Sequence, residues 1–449
     1  MENSLPSGWT ESQLINLLEA LESGSRPKGG VRGITSGIPS IGGEHLNDEG
    51  GFDFSNIKFV PESFAHGMTK GKISTGDILI VKDGATTGKT SYVSKDFPHK
   101  TAFVNEHVFI CRTIQRLDSK YLYWYLRSKE GNERMMENFK GSAQGGINQS
   151  FASNTLVPIA PLPEQQRIVA KLDELMAKIE RSRARLERIP QILKRFRQSV
   201  LSAAVSGKLT EEWRESNDIG DEWEEIKLGD SVEVIGGFAY KSQTFIDRGN
   251  NQVLRIGNVK PYNICLDYSP VFISDLVAQE TTRFEVKEND LLISMTGTKY
   301  KRDYGYACIV RNFEGRFFIN QRVSIIRCKG KINPDFLLHW LQTDYFKNQF
   351  FSGETGNVNQ GNVGMNGIKD SIIKLPTQQE QERISVITTE LFELINKIEA
   401  RYITAKARLD KLPQSLLAKA FRGELVPQDE NDEPASVLLG RIKGEEAGT

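Results

Sequence analysis

EQQRI at positions 164–168 and QSVLSAAVSGKL at 198–209 bound a stretch that returns as EQERI at 380–384 and QSLLAKAFRGEL at 414–425. Both ends keep one offset: Ile384 lies 216 positions after Ile168, and Gln414 lies 216 after Gln198. Two matched ends around a fixed interval are the signature of an internal duplication, which governs how everything else is read. Inside the first copy the apolar residues step by four and three: Ile168, Leu172, Leu175, Ile179, then Leu186, Ile189, Leu193, Phe196 and Val200. The second copy continues this register with Ile384, Leu391, Ile395, Ile398, Tyr402, Leu409, Leu412 and Leu416. Such a heptad pattern predicts a long helix with a narrow apolar seam, as in a coiled coil. Pro163 and Pro376 stand before the two stretches and Gly207 and Gly423 after them, the expected punctuation of helix ends.

Each stretch also carries an internal proline, Pro190 and Pro413, offset by one further heptad. Each follows a seam residue and should kink or break its helix, because an amide donor is lost. A narrow apolar stripe needs a partner, and the nearest candidate is the other copy, in parallel or antiparallel. A helix of this length is a spacer of about 65 Å at 1.5 Å per residue. Residues 164–209 hold eleven Lys/Arg against five Asp/Glu, whereas residues 380–425 hold eight against seven. The first excess suits a solvated face or a contact to phosphate or a partner subunit.

A chain of 449 residues suits two or three domains. Apolar content of 38% permits sizeable cores, and zero formal net charge argues against a protein that merely coats nucleic acid. Cys111, Cys265, Cys308 and Cys328 form no CxxC pair, which speaks against a zinc site or disulfide framework and fits a reducing cytoplasm. The start of the chain has no basic and apolar signal pattern, and no apolar run is long enough to span a membrane.

The segments before the two helices also look like copies. SGWTESQL around Trp9 matches DEWEEIKLGD around Trp223. PSIGGEHL near Ile41 pairs with LRIGNV near Ile256, and STGDILIVKDG (74–84) with KENDLLISMTG (287–297), each reading as a strand between turns. FVNEHVFIC (103–111) matches FINQRVSIIRC (318–328), SKYLYWYLRS and PDFLLHWLQT read as short amphipathic helices, and GGINQS (145–150) pairs with GNVNQG (356–361). The copies differ most after the strand-like runs: ATTGKTSYV follows Gly84, and TKYKRDYGYACIV follows Gly297. A shared frame with differing polar loops is the pattern of a scaffold that presents variable binding loops.

Catalytic motifs fail on inspection. DGATTGKT misses the Walker A spacing by one position, with Asp83 where the first glycine belongs. The chain has no PP dipeptide for an adenine methyltransferase motif, and its five histidines form no HExxH pair. Glu285 and Lys287 supply only part of a nuclease cluster.

The PLPEQQRI and QQEQERI helix starts, the RLERIPQILKRFRQSVL and LPQSLLAKAFRGELVPQ blocks and the GW and EW openings together resemble the specificity subunit of type I restriction–modification enzymes. The resemblance covers the chain to about Pro427. It implies an α+β fold: two pseudo-repeated α/β target recognition domains, separated by two long helices forming an antiparallel coiled coil. The domains would fall at 1–155 and 211–375, the spacer helices at 156–210 and 376–425, and an acidic, flexible tail at 426–449. Each domain would read one part of a bipartite DNA target. The helices would dock two modification subunits, with restriction/translocase subunits joining them. S-adenosylmethionine, ATP and Mg²⁺ would bind those partners and not this non-catalytic chain. A stand-alone duplicated DNA-binding regulator, or a single-chain nuclease or methyltransferase, are the rival readings.

The resemblance carries no residue-level base code, so candidate DNA contacts come from the variable loops. In the first domain they are Lys82, Thr86, Thr87, Lys89, Asn105, His107, Asn148 and Gln149. In the second they are Lys299, Tyr300, Lys301, Arg302, Asn320, Arg322, Asn359 and Gln360. Side chains of these types can hold phosphates or read base edges.

Overall fold

The computed structural model describes residues 5–137, 139–141, 145–220, 222–357 and 359–446. The chain folds as two compact units, Met1–Leu186 with Thr404–Thr449, and Glu187–Ile403. Each unit therefore joins one globular domain to the start of the helix that follows it and to the end of the other long helix.

In the first unit a four-stranded antiparallel sheet has the spatial order Leu18–Ser23, Val108–Thr113, Ile78–Val81, Thr90–Tyr92. A second sheet sets Ile38–Ile41 between Lys58–Val60 and Phe103–Val104, parallel to the latter. Thr10–Gln13 pairs with Leu156–Ile159. The second unit repeats this plan: Val232–Gly236, Val323–Cys328, Leu291–Ser294, Ala307–Ile309 in one sheet, and Asn251–Leu254 between Phe272–Ile273 and Arg316–Ile319 in the other. Glu224–Lys227 pairs with Ile372–Leu375. The apolar runs Ile78–Val81 and Leu291–Ser294 are central strands and fully buried, as continuous apolar runs must be.

Three polar latches recur. Asp77 accepts from the backbone N–H of Ser74 at 2.7 Å and pairs with Arg112 at 2.9 and 2.8 Å. Asp290 accepts from Lys287 N at 2.7 Å and pairs with Arg327 at 2.8 and 2.7 Å. The residues before them, Gly76 and Asn289, both sit at left-handed φ (94° and 67°), which glycine and asparagine tolerate best. The glutamine of each EQ pair holds two backbone groups. Gln165 donates to Ala160 O (2.8 Å) and accepts from Asp118 N (3.2 Å). Gln381 donates to Pro376 O (3.0 Å) and accepts from Asn333 N (2.8 Å). Asp118 and Asn333 in turn cap the helices Ser119–Arg127 and Pro334–Leu341.

Those two helices are covered over most of their surface: Tyr121 to Leu126 and Phe336 to Leu341 are all buried. In the first unit this run packs in one core with the inner sheet residues Ile78 and Ile80 and with Ile168, Leu172, Leu417 and Phe421 of the long helices. In the second, it packs in one core with Leu291, Ile384 and Ala204.

The spacer helices run antiparallel within each unit. Arg183 approaches Asp410 at 3.8 Å, while Ile168 shares the core with Ala420 and Phe421. Arg197 donates to Asn396 at 2.9 Å, while Thr210, beyond the end of the same helix, donates to Glu380 at 2.6 Å. The seam holds at Ile168, Leu172, Ile179, Leu193, Val200, Ile384 and Ile395. It fails at Phe196 and Leu412, which are exposed, while Phe392, off the predicted seam, is buried. Packing on a globular domain, rather than helix on helix alone, rotates the buried face away from a strict 3.5-residue repeat.

The boundaries differ from the sequence expectation. Leu156–Ile159 is a strand of the first domain, and the first spacer helix begins at Leu162. That helix breaks after Leu186 and resumes as Ile189–Val205 with Pro190 in its first turn, where no amide donor is needed. The distal helix Gln378–Ala420 instead runs through Pro413 without a break. The acidic tail is a docked segment. Asp432 pairs with Arg167 at 2.7 Å, Ala435 N donates to Gly8 O at 2.9 Å, and Ala435–Glu446 is helical with Ala435 buried in the core. Glu433 pairs with Arg441 at 2.6 Å, and Leu438 is buried as Ala435 is. Among the described residues no helix is long and apolar enough to cross a membrane.

Candidate nucleic-acid interface

In the first domain the variable turn connects two antiparallel strands, Ile78–Val81 and Thr90–Tyr92. A phosphate-cradling loop joins a strand to a helix, so DGATTGKT has the wrong connection as well as the wrong spacing. Thr87 donates to Gly84 O at 2.7 Å and closes the turn, Lys89 pairs with Asp48 at 2.9 Å, and Thr86 is exposed on its outer face. Lys82 lies 5.5 Å from the Phe109 ring centroid, and its carbonyl accepts from Ile147 N at 2.7 Å. That bond ties the loop holding Asn148 and Gln149 to the turn. Asn148 accepts from Ser150 N at 2.9 Å, and Gln149 Nε2 donates to Leu21 O at 3.4 Å.

His107 faces Asp83 at 2.6 Å and Glu106 at 3.3 Å, and its backbone N–H donates to Asn105 Oδ1 at 2.9 Å. Thr86, Asp83 and His107 line one hollow of about 490 Å³, and Lys82, Asn148 and Gln149 line another beside it that also touches Asp83. The eight first-domain candidates thus gather round one turn, though Asn105 and Thr87 spend their side chains holding it.

The second domain builds its counterpart differently. Gln360–Asn362 pairs with Thr296–Gly297 on one side and with Thr355–Asn357 on the other, forming a two-stranded ribbon on the variable loop. Lys299 donates to Gly356 O at 3.0 Å, and Arg302 (φ 47°) stacks 5.0 Å from the Phe351 centroid. Tyr300, at 76%, and Lys301 are exposed. These four and Asn359 and Gln360 share one surface. Asn320 and Arg322 stand before the strand Val323–Cys328, as Asn105 and His107 stand before Val108–Thr113: Asn320 N donates to Leu254 O (2.9 Å) and the Arg322 carbonyl accepts from Met295 N (2.9 Å). Of these two, the Arg322 side chain is exposed.

Two sequence pairings are slipped. The Ile147 N to Lys82 O bond has its counterpart in Val363 N to Met295 O at 3.0 Å, so Gly145–Ser150 matches 361–366 and not 356–361. Asn148 and Gln149 are therefore not the equivalents of Asn359 and Gln360. Likewise Ser40 pairs with Phe103 as Val253 pairs with Phe318, which sets Ile41 against Leu254 and not Ile256. Asn357, which the sequence candidates did not include, lies opposite Gln360 on the ribbon, in the near-palindrome TGN…NQGN.

Duplicated α/β domains, each clamped by a pair of antiparallel helices and presenting unlike polar loops, define a class: a two-domain protein with a repeated frame. The chain belongs to the family described as type I restriction modification DNA specificity domain, whose model matches residues 6–191 and 220–406. The specificity subunit of the type I restriction enzyme EcoKI from Escherichia coli K12 is 27% identical over 92% of this chain and 89% of its own length. That of EcoBI from Escherichia coli is 27% identical over 100% of this chain and 97% of its own. The HsdS subunit of Thermoanaerobacter tengcongensis shares the fold, with a TM-score of 0.62, 18% identity and coverage of 94% and 98%. A chain from a structure of type I R-M complex assembly aligns with a TM-score of 0.68, 19% identity and coverage of 94% and 100%.

Proposed function

We propose that this chain is the DNA specificity subunit of a type I restriction–modification complex, in which each globular domain reads one half of a split target. The observation that carries the reading is the contrast between identical latches and unlike loops. The Asp–Arg pair and two bonds of the glutamine latch recur in both domains, while the loops beside them differ in sequence and charge. Lysines and arginines on those loops would hold phosphates without regard to sequence. The polar groups between them would discriminate bases, each good bidentate contact being worth about 1–3 kcal/mol.

The antiparallel helices would set the separation of the half-sites. They would also dock two modification subunits, with restriction/translocase subunits joining that core. Ile192, Val386, Leu394 and Ile403 are exposed apolar residues on the helices of the second unit, and Leu412 is one on the first, which suits such docking. The chemistry would belong to the partners: they would bind S-adenosylmethionine, ATP and Mg²⁺, and this chain would act in the cytoplasm without catalysis of its own.

Co-expression with the cognate modification subunit, followed by genome-wide mapping of methylated adenines, tests the proposal. A split motif is expected. Replacing the first domain with that of a relative should change one half only; a contiguous motif, or a change in both halves, overturns it.

A further inference from the structure

The ribbon of the second domain has two unlike faces. Its strands, Thr355–Asn357 and Gln360–Asn362, place Asn357 directly opposite Gln360 and Gly356 opposite Gly361. Residues directly opposite in an antiparallel pair share a face, and faces alternate along each strand. One face is therefore all glycine. It lies flat on the variable loop: a Cβ on Gly361 would come within 2.4 Å of Glu354 Oε1, 2.7 Å of Tyr304 Oη and 3.0 Å of Lys299 Cα.

The other face carries amides. Asn362 is tied down, accepting from Thr296 Oγ1 at 2.9 Å. Asn357 and Gln360 are exposed, side by side, and Thr355–Asn357 is the edge strand of its sheet among the described residues. Lys299 donates to Gly356 O of the ribbon at 3.0 Å, and Lys301 and Arg302 follow it, exposed, in the same loop.

We propose that Asn357 and Gln360 form a major-groove reader of adenine in the half-site of the second domain. The proposal rests on the DNA-reading function proposed above. The major groove is wide enough for a two-stranded ribbon, and Asn and Gln amides match the N7 acceptor and N6 donor of adenine as a bidentate pair. The glycine face lets the ribbon lie on the loop that carries Lys299, Lys301 and Arg302, basic side chains able to hold phosphates. At the same place in the first domain Gly146, the counterpart of Asn362, likewise bridges Asp83 and Lys140.

The test uses the full chain in complex with its modification subunit and the mapped target duplex. Each adenine of the second half-site is replaced in turn by 7-deazaadenine, which lacks the N7 acceptor. The unaltered complex should lose about 5- to 150-fold in affinity at one position, the range that 1–3 kcal/mol implies. Asn357→Ala and Gln360→Ala should bind the natural site more weakly and show no further loss at that position, with the first half-site read as before. A second half-site without adenine on either strand, or variants as sensitive to 7-deazaadenine as the parent, overturns the proposal while leaving the wider reading intact. Failure of the unaltered complex to recognise any split site overturns both. Unchanged thermal unfolding of the variants, expected for exposed residues, excludes misfolding as the cause.

Discussion

The two long helices begin with the same buried glutamate but neutralise it differently. Glu164 accepts from the indole N–H of Trp9 at 3.0 Å, and burial raises its carboxyl pKa, with the Trp9 bond opposing. Glu380 accepts from Thr210 Oγ1 and from the guanidinium of Arg214, each at 2.6 Å, with Arg214 itself buried. By the repeat offset Thr210 and Arg214 correspond to Val426 and Glu430, so the first unit has no equivalent cation in that place. A duplicated frame has thus kept its acid and changed the acid's partner. The frame keeps a hydrogen-bonded carboxylate at the helix start without keeping a particular donor.

Removing the partner should separate the two sites more than any other change. Arg214→Met leaves a buried carboxylate without its cation and should cost about 3–5 kcal/mol in the second unit, because half of a buried pair is worse than none. Trp9→Phe removes one neutral donor and should cost about 1–3 kcal/mol in the first. Denaturant unfolding followed by hydrogen exchange of each unit measures both. Equal losses would mean that the two carboxylates are in equivalent states.

A smaller contrast lies one helix away. The helix position that holds Trp124 in the first unit holds His339 in the second, buried beside Tyr262 and Phe392. Trp124 donates to Asp173 at 3.2 Å, while His339 Nδ1 lies 3.1 Å from the Tyr262 hydroxyl. Burial pushes the His339 pKa from 6.5 down to about 4. A lowered folded pKa means the unfolded chain binds the proton first. Stability of the second unit is therefore full above pH 6.5 and falls as pH drops from 6.5 towards 4, by up to about 3 kcal/mol at 1.36 kcal/mol per pH unit. Unfolding of His339→Phe over the same range should lose that slope, and an unchanged slope would assign it elsewhere.

How much of this could be read from residues alone follows a physical divide. Period and punctuation are local, so the two helices and the central strands at 78–81 and 291–294 stand out in the sequence. Pairing partners are not local. Arg214 closes on Glu380 across 166 positions, and nothing near either residue signals it. Glycine and asparagine are cheap in any turn, so they recur by chance, and GGINQS aligned with GNVNQG five residues out of step. The ladder bonds of Ile147 and Val363 restore the register because a buried apolar residue can occupy only one side of a strand. Loop length and charge are visible in sequence and pick out the candidate loops; that Asn357 lies opposite Gln360 on one face of a ribbon is not visible there.

The prolines offer the smallest contrast and one that local chemistry settles. Pro190 stands in the first turn of Ile189–Val205, after a break at 187–188, whereas Pro413 lies inside Gln378–Ala420. A first-turn residue has no intrahelical acceptor to lose, so Pro190→Ala should change stability by less than about 0.5 kcal/mol. Pro413→Ala restores an interior donor and relieves the ring's clash with the preceding turn, so it should stabilise its unit by up to about 3 kcal/mol. Gln414 beside it bonds Lys129 N at 2.9 Å and Arg127 O at 3.1 Å, anchoring the helix to the first domain. If Pro413→Ala instead destabilises, the proline must be setting the bend that lets Gln414 reach those groups, and exchange of the Lys129 amide would report the loss directly.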